Sequence, residues 1–167
     1  DEAEGMRLRE AWDELEGGAL RDARKGFEGL RAHLPSGVPE QGLYPVDTAI
    51  GVVRLVGGDV EAALREFHRA LDRKPGYVEA LVGEAVADHL DGDDDAALER
   101  LERLGAVAPG VRGAEALRAR IAPRVTARAF ERAATAERAG DLKAALEGYA
   151  RASSLSPGDV TIRMKEG

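Results

Sequence analysis

The segment GDVEAALREFHRALDRKPG, residues 58–76, decides the fold of this chain. Apolar residues recur within it at steps of three and four, and charged residues fill most of the positions between them. This spacing predicts an amphipathic helix over about residues 60–73, because an α-helix completes a turn every 3.6 residues. The glycine before the helix and the proline after it mark its two ends.

The markers of this segment recur along the chain with a constant internal spacing. A glycine is followed by an alanine after five residues, by an aromatic residue or leucine after four more, and by a proline after eight more. The four copies are Gly18, Ala23, Phe27 and Pro35; Gly58, Ala63, Phe67 and Pro75; Gly92, Ala97, Leu101 and Pro109; and Gly140, Ala145, Tyr149 and Pro157. The middle two copies are 34 residues apart, and a period of this length predicts stacked helical hairpins.

The pattern resembles the tetratricopeptide-repeat family, whose 34-residue helix-turn-helix unit carries a turn glycine, a small residue, an aromatic residue and a closing proline. The second-helix half of each unit carries most of this resemblance. The first-helix half keeps only small residues before the turn, which are Ala11, Gly51, Ala85 and Ala133. The resemblance implies an all-α, right-handed helical-hairpin solenoid of four repeats, with an extra helical segment and a partial C-terminal helix.

We predict a single domain over residues 1–167, with four repeats at about 3–35, 45–75, 76–109 and 124–157. The first helices are expected at about 3–16, 45–56, 78–90 and 124–138, and the second helices at about 20–33, 60–73, 94–107 and 142–154. Insertions fall at about 36–44 and 110–123. In the latter, residues 114–121 predict an extra helical segment that ends at Pro123, or that joins the next helix across a proline kink. The sequence of residues 159–166 predicts a further helix, which is either the shortened first helix of a fifth repeat or a capping helix.

Local chemistry at the turns supports these boundaries. The four turn glycines are expected in the left-handed conformation, which glycine adopts at little cost. Asp59, Asp93 and Asp141 follow a turn glycine directly, so we predict that they cap the second helices.

Composition limits the classes of function. Acidic residues number 31 and basic residues 24, for a net charge of -7, and no dense run of Lys or Arg is present, so nucleic-acid binding is not expected. Without cysteine, disulfides and thiolate metal sites are excluded. No apolar run of about 18 residues predicts a membrane span. We interpret the chain as a processed or excised part of a larger bacterial protein or assembly, with any signal peptide or anchor outside it, which leaves both cytoplasm and periplasm open.

Catalytic, cofactor and metal sites are not predicted. Asp91, Asp93 and Asp95, with Glu102, have the spacing of a calcium loop, but Ala96 replaces its glycine, and we interpret these acids as charges at a helix N-terminus. The three histidines are widely separated, and the serines lack the setting of a catalytic nucleophile.

The family resemblance implies that the first helices line a concave binding face. Alignment on the turn glycines predicts a groove of Thr48, Val52, Leu55, Val82, Val86, His89, Phe130 and Glu137. This register would bury Glu10, Glu84 and Arg132, which favours a shift of about one residue, to Ala49, Val53, Val56, Gly83, Ala87 and Leu90. Both registers leave an apolar groove. Trp12 is either a core residue or a partner-binding anchor.

The predicted function is a non-catalytic protein-interaction scaffold that binds a peptide or helix in this apolar groove. Family members that clamp a C-terminal carboxylate present Lys, Arg and Asn, a set that neither register supplies. A regulatory domain that senses a ligand or peptide, with a polar pocket near His89 and Glu137, and a self-assembly module remain alternatives. Further candidates to fill the groove are the extra helical segment of this chain, residues 160–164, and a second copy of the chain.

Overall fold

A computed structural model describes residues 2–33 and 43–156, and this part of the chain forms eight α-helices and no strands. The helices are α1 (Glu2–Glu16), α2 (Leu20–Ala32), α3 (Tyr44–Val56), α4 (Val60–Arg73), α5 (Val78–Asp91), α6 (Asp94–Val107), α7 (Arg112–Arg138) and α8 (Leu142–Leu155). The prediction of an all-α fold of helical hairpins is confirmed. All of these helices except α7 begin and end within one residue of their predicted bounds.

The helices belong to two compact units, the first with α1 to α6 and the second with α7 and α8. The division falls between Val111 and Arg112. Most of the predicted insertion at 36–44 and all of the predicted helix at 159–166 lie outside the described residues. The single-domain organisation and the repeat boundaries stay predictions.

The longest helix, α7, corrects one expectation. A separate helical segment that ends at Pro123 is wrong, because α7 continues through this proline to Arg138, as the alternative reading proposed. Proline lacks an N–H and so removes one hydrogen bond within the helix. Ile121 and Val125, on either side of Pro123, are both fully buried, and the burial of these side chains offsets that loss.

The turns have the predicted geometry. Gly18, Gly58, Gly92 and Gly140 have φ values of 79°, 83°, 90° and 79°. The backbone N–H of Ala62 donates to Oδ1 of Asp59 at 3.2 Å, and the N–H of Ala96 donates to Oδ1 of Asp93 at 2.9 Å. Asp141 accepts in the same way from the N–H of Ala144 at 3.0 Å. These caps are the ones predicted from the sequence, and they begin the second helices α4, α6 and α8.

Phe67 of α4 joins two hairpins in the first unit. Its ring is fully buried between Gly51 of α3 and Gly83 of α5, and a Cβ on Gly51 would lie 2.6 Å from the ring. A Cβ on Gly83 would overlap the same ring. Because both first helices pack closely on one aromatic residue, α3 and α5 also contact each other.

The second unit is one hairpin built by the same rule. Tyr149 of α8 is buried beside Ala133 of α7, and a Cβ on Gly148 would lie 2.7 Å from the Cβ of Ala133. The Phe130 ring meets the Tyr149 ring edge-on, with 5.3 Å between centroids. A small residue facing a large one therefore sets the helix spacing in both units.

The substitution Gly83→Ala is expected to lower the free energy of unfolding by about 1–3 kcal/mol, because the new methyl group would overlap the Phe67 ring. Gly105→Ala in α6 is the matched control, since no atom lies within 4 Å of the position that its Cβ would take. That variant is expected to gain about 0.5–1 kcal/mol, as alanine is the better helix former. Urea denaturation measures both, and equal changes would contradict this packing.

Candidate functional site

One side of the contacting helices α3 and α5 carries apolar side chains that the core does not cover. We call this set the inner face, and it consists of Val52, Leu55 and Val56 of α3 and Val82, Val86 and Leu90 of α5. Val56 and Leu90 are 63% and 59% exposed, and the other four are half-buried. In α3 the second and third residues lie three and four positions after Val52, and in α5 the steps are of four, so the residues of each helix share one side of it.

The two polar residues predicted for the groove are held by neighbours. Thr48 is buried, and its Oγ1 donates to the backbone oxygen of Tyr44 at 2.8 Å. Nδ1 of His89 lies 2.6 Å from Oδ1 of Asp94, a buried carboxylate at the start of α6. Both polar side chains thus already make a hydrogen bond within the first unit. The six residues of the inner face beside them are all apolar.

The register shifted by one residue is wrong for most of its members. Ala49, Val53, Gly83 and Ala87 are buried in the core, where a partner does not reach them. Only Val56 and Leu90 of that set are exposed, and they extend the unshifted register.

The shift was expected because the unshifted register buries Glu84, and the structure shows how that charge is tolerated. Glu84 is 2% exposed, and its Oε1 lies 2.7 Å from Nε2 of His68 and 3.2 Å from Nε of Arg100. The other two residues expected to be buried, Glu10 and Arg132, are exposed. A buried carboxylate with partners is therefore no sign of a wrong register.

Asp88 lies one turn after Glu84 on α5. Burial raises the pKa of the Asp88 carboxyl, and Arg100, whose Nε is 3.5 Å from its Oδ2, opposes this shift. Glu84 and Asp93 add to the rise through like charge. On the face of α5 opposite the inner face, Glu84 and Asp88 thus form a compact acidic cluster that contacts His68 of α4 and Arg100 of α6.

A second buried cluster joins α2, α3 and α4, and the sequence analysis missed it. Asp47 is fully buried, and its two oxygens lie 3.3 Å from Nη1 of Arg31 and 2.8 Å from Nε of Arg73. The same Arg31 nitrogen donates to Glu66 at 2.5 Å. Burial lowers the pKa of Arg31, but the hydrogen bonds and charges of Glu66 and Asp47 outweigh it and raise this pKa overall.

Trp12 of α1 lies at the same repeat position as Val52, and the predicted groove left it out. It lies 40 residues before Val52, as Gly18 lies 40 residues before Gly58, so the two occupy equivalent positions in α1 and α3. One edge of the ring contacts Phe27, with 5.1 Å between centroids, and 40% of the residue is exposed. Trp12 thus packs on the core at one edge of its ring, and its role as a partner-binding anchor stays a prediction. Extending the turn-glycine alignment to α1 would have identified it.

The remaining predicted residues lie in the second unit. Phe130 is half-buried against Tyr149, and Glu137 is exposed and accepts a hydrogen bond from the Tyr149 hydroxyl at 2.7 Å. Their contacts belong to the α7–α8 hairpin.

Over residues 2–33 and 43–156, no group of three or more His, Asp or Glu side chains is arranged to hold a metal ion. Asp93, the central acid of the calcium-like spacing, caps α6 instead. Within the same residues, each helix is too short or too polar to cross a membrane.

The substitution Asp47→Asn is expected to lower the free energy of unfolding by about 2–3 kcal/mol, because it leaves two partly buried arginines without their carboxylate. Glu61→Gln, which breaks an exposed ion pair with Arg65, is the control and is expected to cost less than about 0.5 kcal/mol. Thermal and urea denaturation measure both variants. A cost for Asp47→Asn as small as that of the control would show that the buried pairs are not structural.

The chain is similar to known proteins in sequence and in fold. Residues 57–121 match a family model described as tetratricopeptide repeat. A search of curated protein sequences gave no match. Among solved structures, a tetratricopeptide repeat protein from Parabacteroides merdae superposes with a TM-score of 0.58 at 15% identity, over 99% of this chain and 58% of that one. The chain thus spans less than two thirds of that protein's length.

Two further structures share the fold. MamA superposes with a TM-score of 0.55 at 14% identity, over 99% of this chain and 79% of its own. A thermophilic tetratricopeptide-repeat protein from Thermus thermophilus has a TM-score of 0.52 at 21% identity, over 96% of this chain and 77% of its own. At such identities the likeness shows the fold alone.

Proposed function

Because residues 57–121 match the tetratricopeptide-repeat family, and such repeats generally mediate protein–protein interaction, we propose that the inner face of this chain binds an apolar peptide or helix of a partner protein. The proposed role is that of a scaffold, and it includes no catalytic step and no cofactor. The first unit carries this role, since the inner face lies wholly within α3 and α5.

The exposure of Val56 and Leu90 is the observation that carries the proposal. More than half of each side chain is open to water, and half-buried valines adjoin both of them on helices that contact each other. A contiguous apolar surface of this kind is characteristic of interaction sites, whereas single exposed apolar residues are ordinary. Covering it removes apolar area from water, which is the main favourable term in association.

The layout of the face supports an amphipathic partner. Val52, Val56, Val86 and Leu90 form two short rows on neighbouring helices, and a partner with apolar side chains at steps of three and four can fill the space between such rows. Trp12, at the equivalent position of α1, is a candidate anchor, because partly exposed tryptophans often contribute strongly to binding energy.

The carboxylate-clamp mode finds no support on this surface. That mode needs cationic side chains pointing at the bound carboxylate. The six residues of the inner face are all apolar, and His89 beside them already contacts Asp94.

Selection from a phage-displayed library of random peptides, each of about 16 residues, tests the proposal with the full chain as bait. We expect recovered peptides to carry apolar residues at helical spacing. The chain contains one tryptophan, so binding of tryptophan-free peptides is expected to shift the emission of Trp12.

The variants Val56→Glu and Leu90→Glu are expected to weaken peptide binding by more than about tenfold, since each places a charge in the apolar contact. Both sites are exposed, so the fold should persist, which circular dichroism checks. Val107→Glu, at a 54% exposed valine of α6 away from the inner face, is the matched control and is expected to bind normally. Recovered peptides that bind all three variants alike, or the recovery of none, would contradict the proposal.

A further inference from the structure

The charge of this chain is divided unevenly between its two units. Residues 1–111 contain 24 acidic and 13 basic side chains, a formal net charge of −11, whereas residues 112–167 contain 7 and 11, a net charge of +4. The unit that carries the inner face is thus far more acidic than the chain as a whole suggests.

Many cations of the first unit are engaged on the core side of its helices. Arg31 and Arg73 contact the buried Asp47, and Arg100 contacts the buried Glu84. Arg54 lies within ion-pair distance of three carboxylates, which belong to Glu28, Asp59 and Glu66. These pairs hold positive charge away from the inner face and leave the surplus of negative charge on the surface.

Part of that surplus lies at one end of the inner face. Short turns join α3, α4 and α5, so neighbouring helices are antiparallel and the first helices α3 and α5 end at the same edge. Four exposed carboxylates lie just beyond or at the ends of the first helices, and we call them the acidic rim: Glu16, Asp59, Asp91 and Asp93. Arg54, at 3.6 Å, offsets part of the charge of Asp59. Val56 and Leu90, the most exposed residues of the inner face, are within three residues of this rim in the sequence.

The negative charge of this edge comes from its side chains and not from the helix dipoles. The N-terminal ends of α4 and α6, which Asp59 and Asp93 cap, lie at the same edge as the C-terminal ends of α3 and α5, so the dipoles of neighbouring helices oppose each other. A partner seated on Val56 and Leu90 would therefore contact apolar surface on one side and concentrated negative charge on the other.

We infer that the partner of the inner face is a cationic amphipathic segment, with apolar side chains that cover the inner face and Lys or Arg residues that meet the acidic rim. This inference rests on the proposed function and specifies the chemistry of its ligand. Complementary charge speeds association and rejects acidic segments of equal hydrophobicity.

The charge of the recovered library peptides gives the first test. We expect them to carry more Lys and Arg than the unselected library. Replacing every Lys and Arg of a recovered peptide with Glu is expected to weaken binding by more than about tenfold in about 50 mM salt, and by a smaller factor in about 500 mM salt, because salt screens exposed charges. Recovered peptides that are neutral or acidic would overturn the inference.

A pair of variants at one position separates charge from hydrophobicity. Leu90→Lys and Leu90→Glu remove the same apolar contact and introduce opposite charges beside the acidic rim. For a cationic partner, Leu90→Lys is expected to weaken binding at least about threefold more than Leu90→Glu. The reverse order would indicate an acidic partner and would overturn the inference.

The acidic rim can also be neutralised with little change of shape. A triple variant with Glu16→Gln, Asp91→Asn and Asp93→Asn keeps the cap of α6, since asparagine caps helices as well as aspartate does. It is expected to bind the cationic peptides about threefold to tenfold more weakly. The control variant removes three exposed carboxylates from the second helices, through Glu61→Gln, Asp72→Asn and Glu99→Gln. It is expected to weaken binding of the same peptides by a smaller factor, of at most about twofold to threefold, because these charges lie farther from the bound peptide.

The outcomes distinguish this inference from the proposed function. Peptides that need Val56 and Leu90 but show no preference for positive charge would overturn the cationic partner and leave the proposed function intact. Peptides that bind regardless of the inner face would overturn both. Association of the chain with itself that Leu90→Glu abolishes would identify a second copy as the occupant and overturn the cationic segment.

Discussion

The ring of Phe67 fixes the rotation of two helices at once. It is enclosed by Gly51 and Gly83, and neither position has room for a side chain. Once these glycines face α4, the side chains of α3 and α5 that point away from the core are determined, and they are the apolar residues of the inner face. The inner face is therefore a consequence of core packing between repeats.

Buried charge adds a second constraint on the first unit. Asp47 and Glu84 lie in the interior, and each contacts side chains from other helices. Asp47 contacts Arg31 of α2 and Arg73 of α4, and Glu84 contacts His68 of α4 and Arg100 of α6. A buried ion pair contributes little net stability compared with an apolar core, but it is costly to break. Such pairs disfavour any packing of the helices that separates them. They also engage three of the 13 basic residues of this unit, Arg31, Arg73 and Arg100, on the core side of its helices.

Much of the fold could be predicted because its signals are local. A turn glycine, a capping aspartate and a closing proline act within a few residues, and the helices that they delimit begin and end as expected. The exception is α7, where the proline is a local signal for an end and the burial of Ile121 and Val125 is not local. The side chains that outweigh Pro123 are buried by tertiary contacts, which sequence spacing does not reveal.

The candidate site was predicted less completely, for the same reason. The turn-glycine register placed Val52 and Val86 correctly on the uncovered side of their helices. The burial of Glu84 in this register favours a shift on sequence grounds, because its partners His68 and Arg100 lie on other helices and 16 residues away on either side. The spacing within α1 alone does not separate a core role of Trp12 from an exposed one, whereas the repeat alignment places Trp12 at the position of Val52. Pairing across helices is the information that the sequence pattern lacked.

The most direct measurement of the central claim is methyl-resolved NMR of the chain with a selected peptide bound. The account predicts intermolecular nuclear Overhauser effects from the methyl groups of Val52, Val56, Val86 and Leu90, together with contacts to the Trp12 ring. The methyl groups of Leu98 and Leu104, buried in the first unit, should show none. Contacts confined to the outer surfaces of α2, α4 and α6, with the inner-face methyl groups unperturbed, would contradict it.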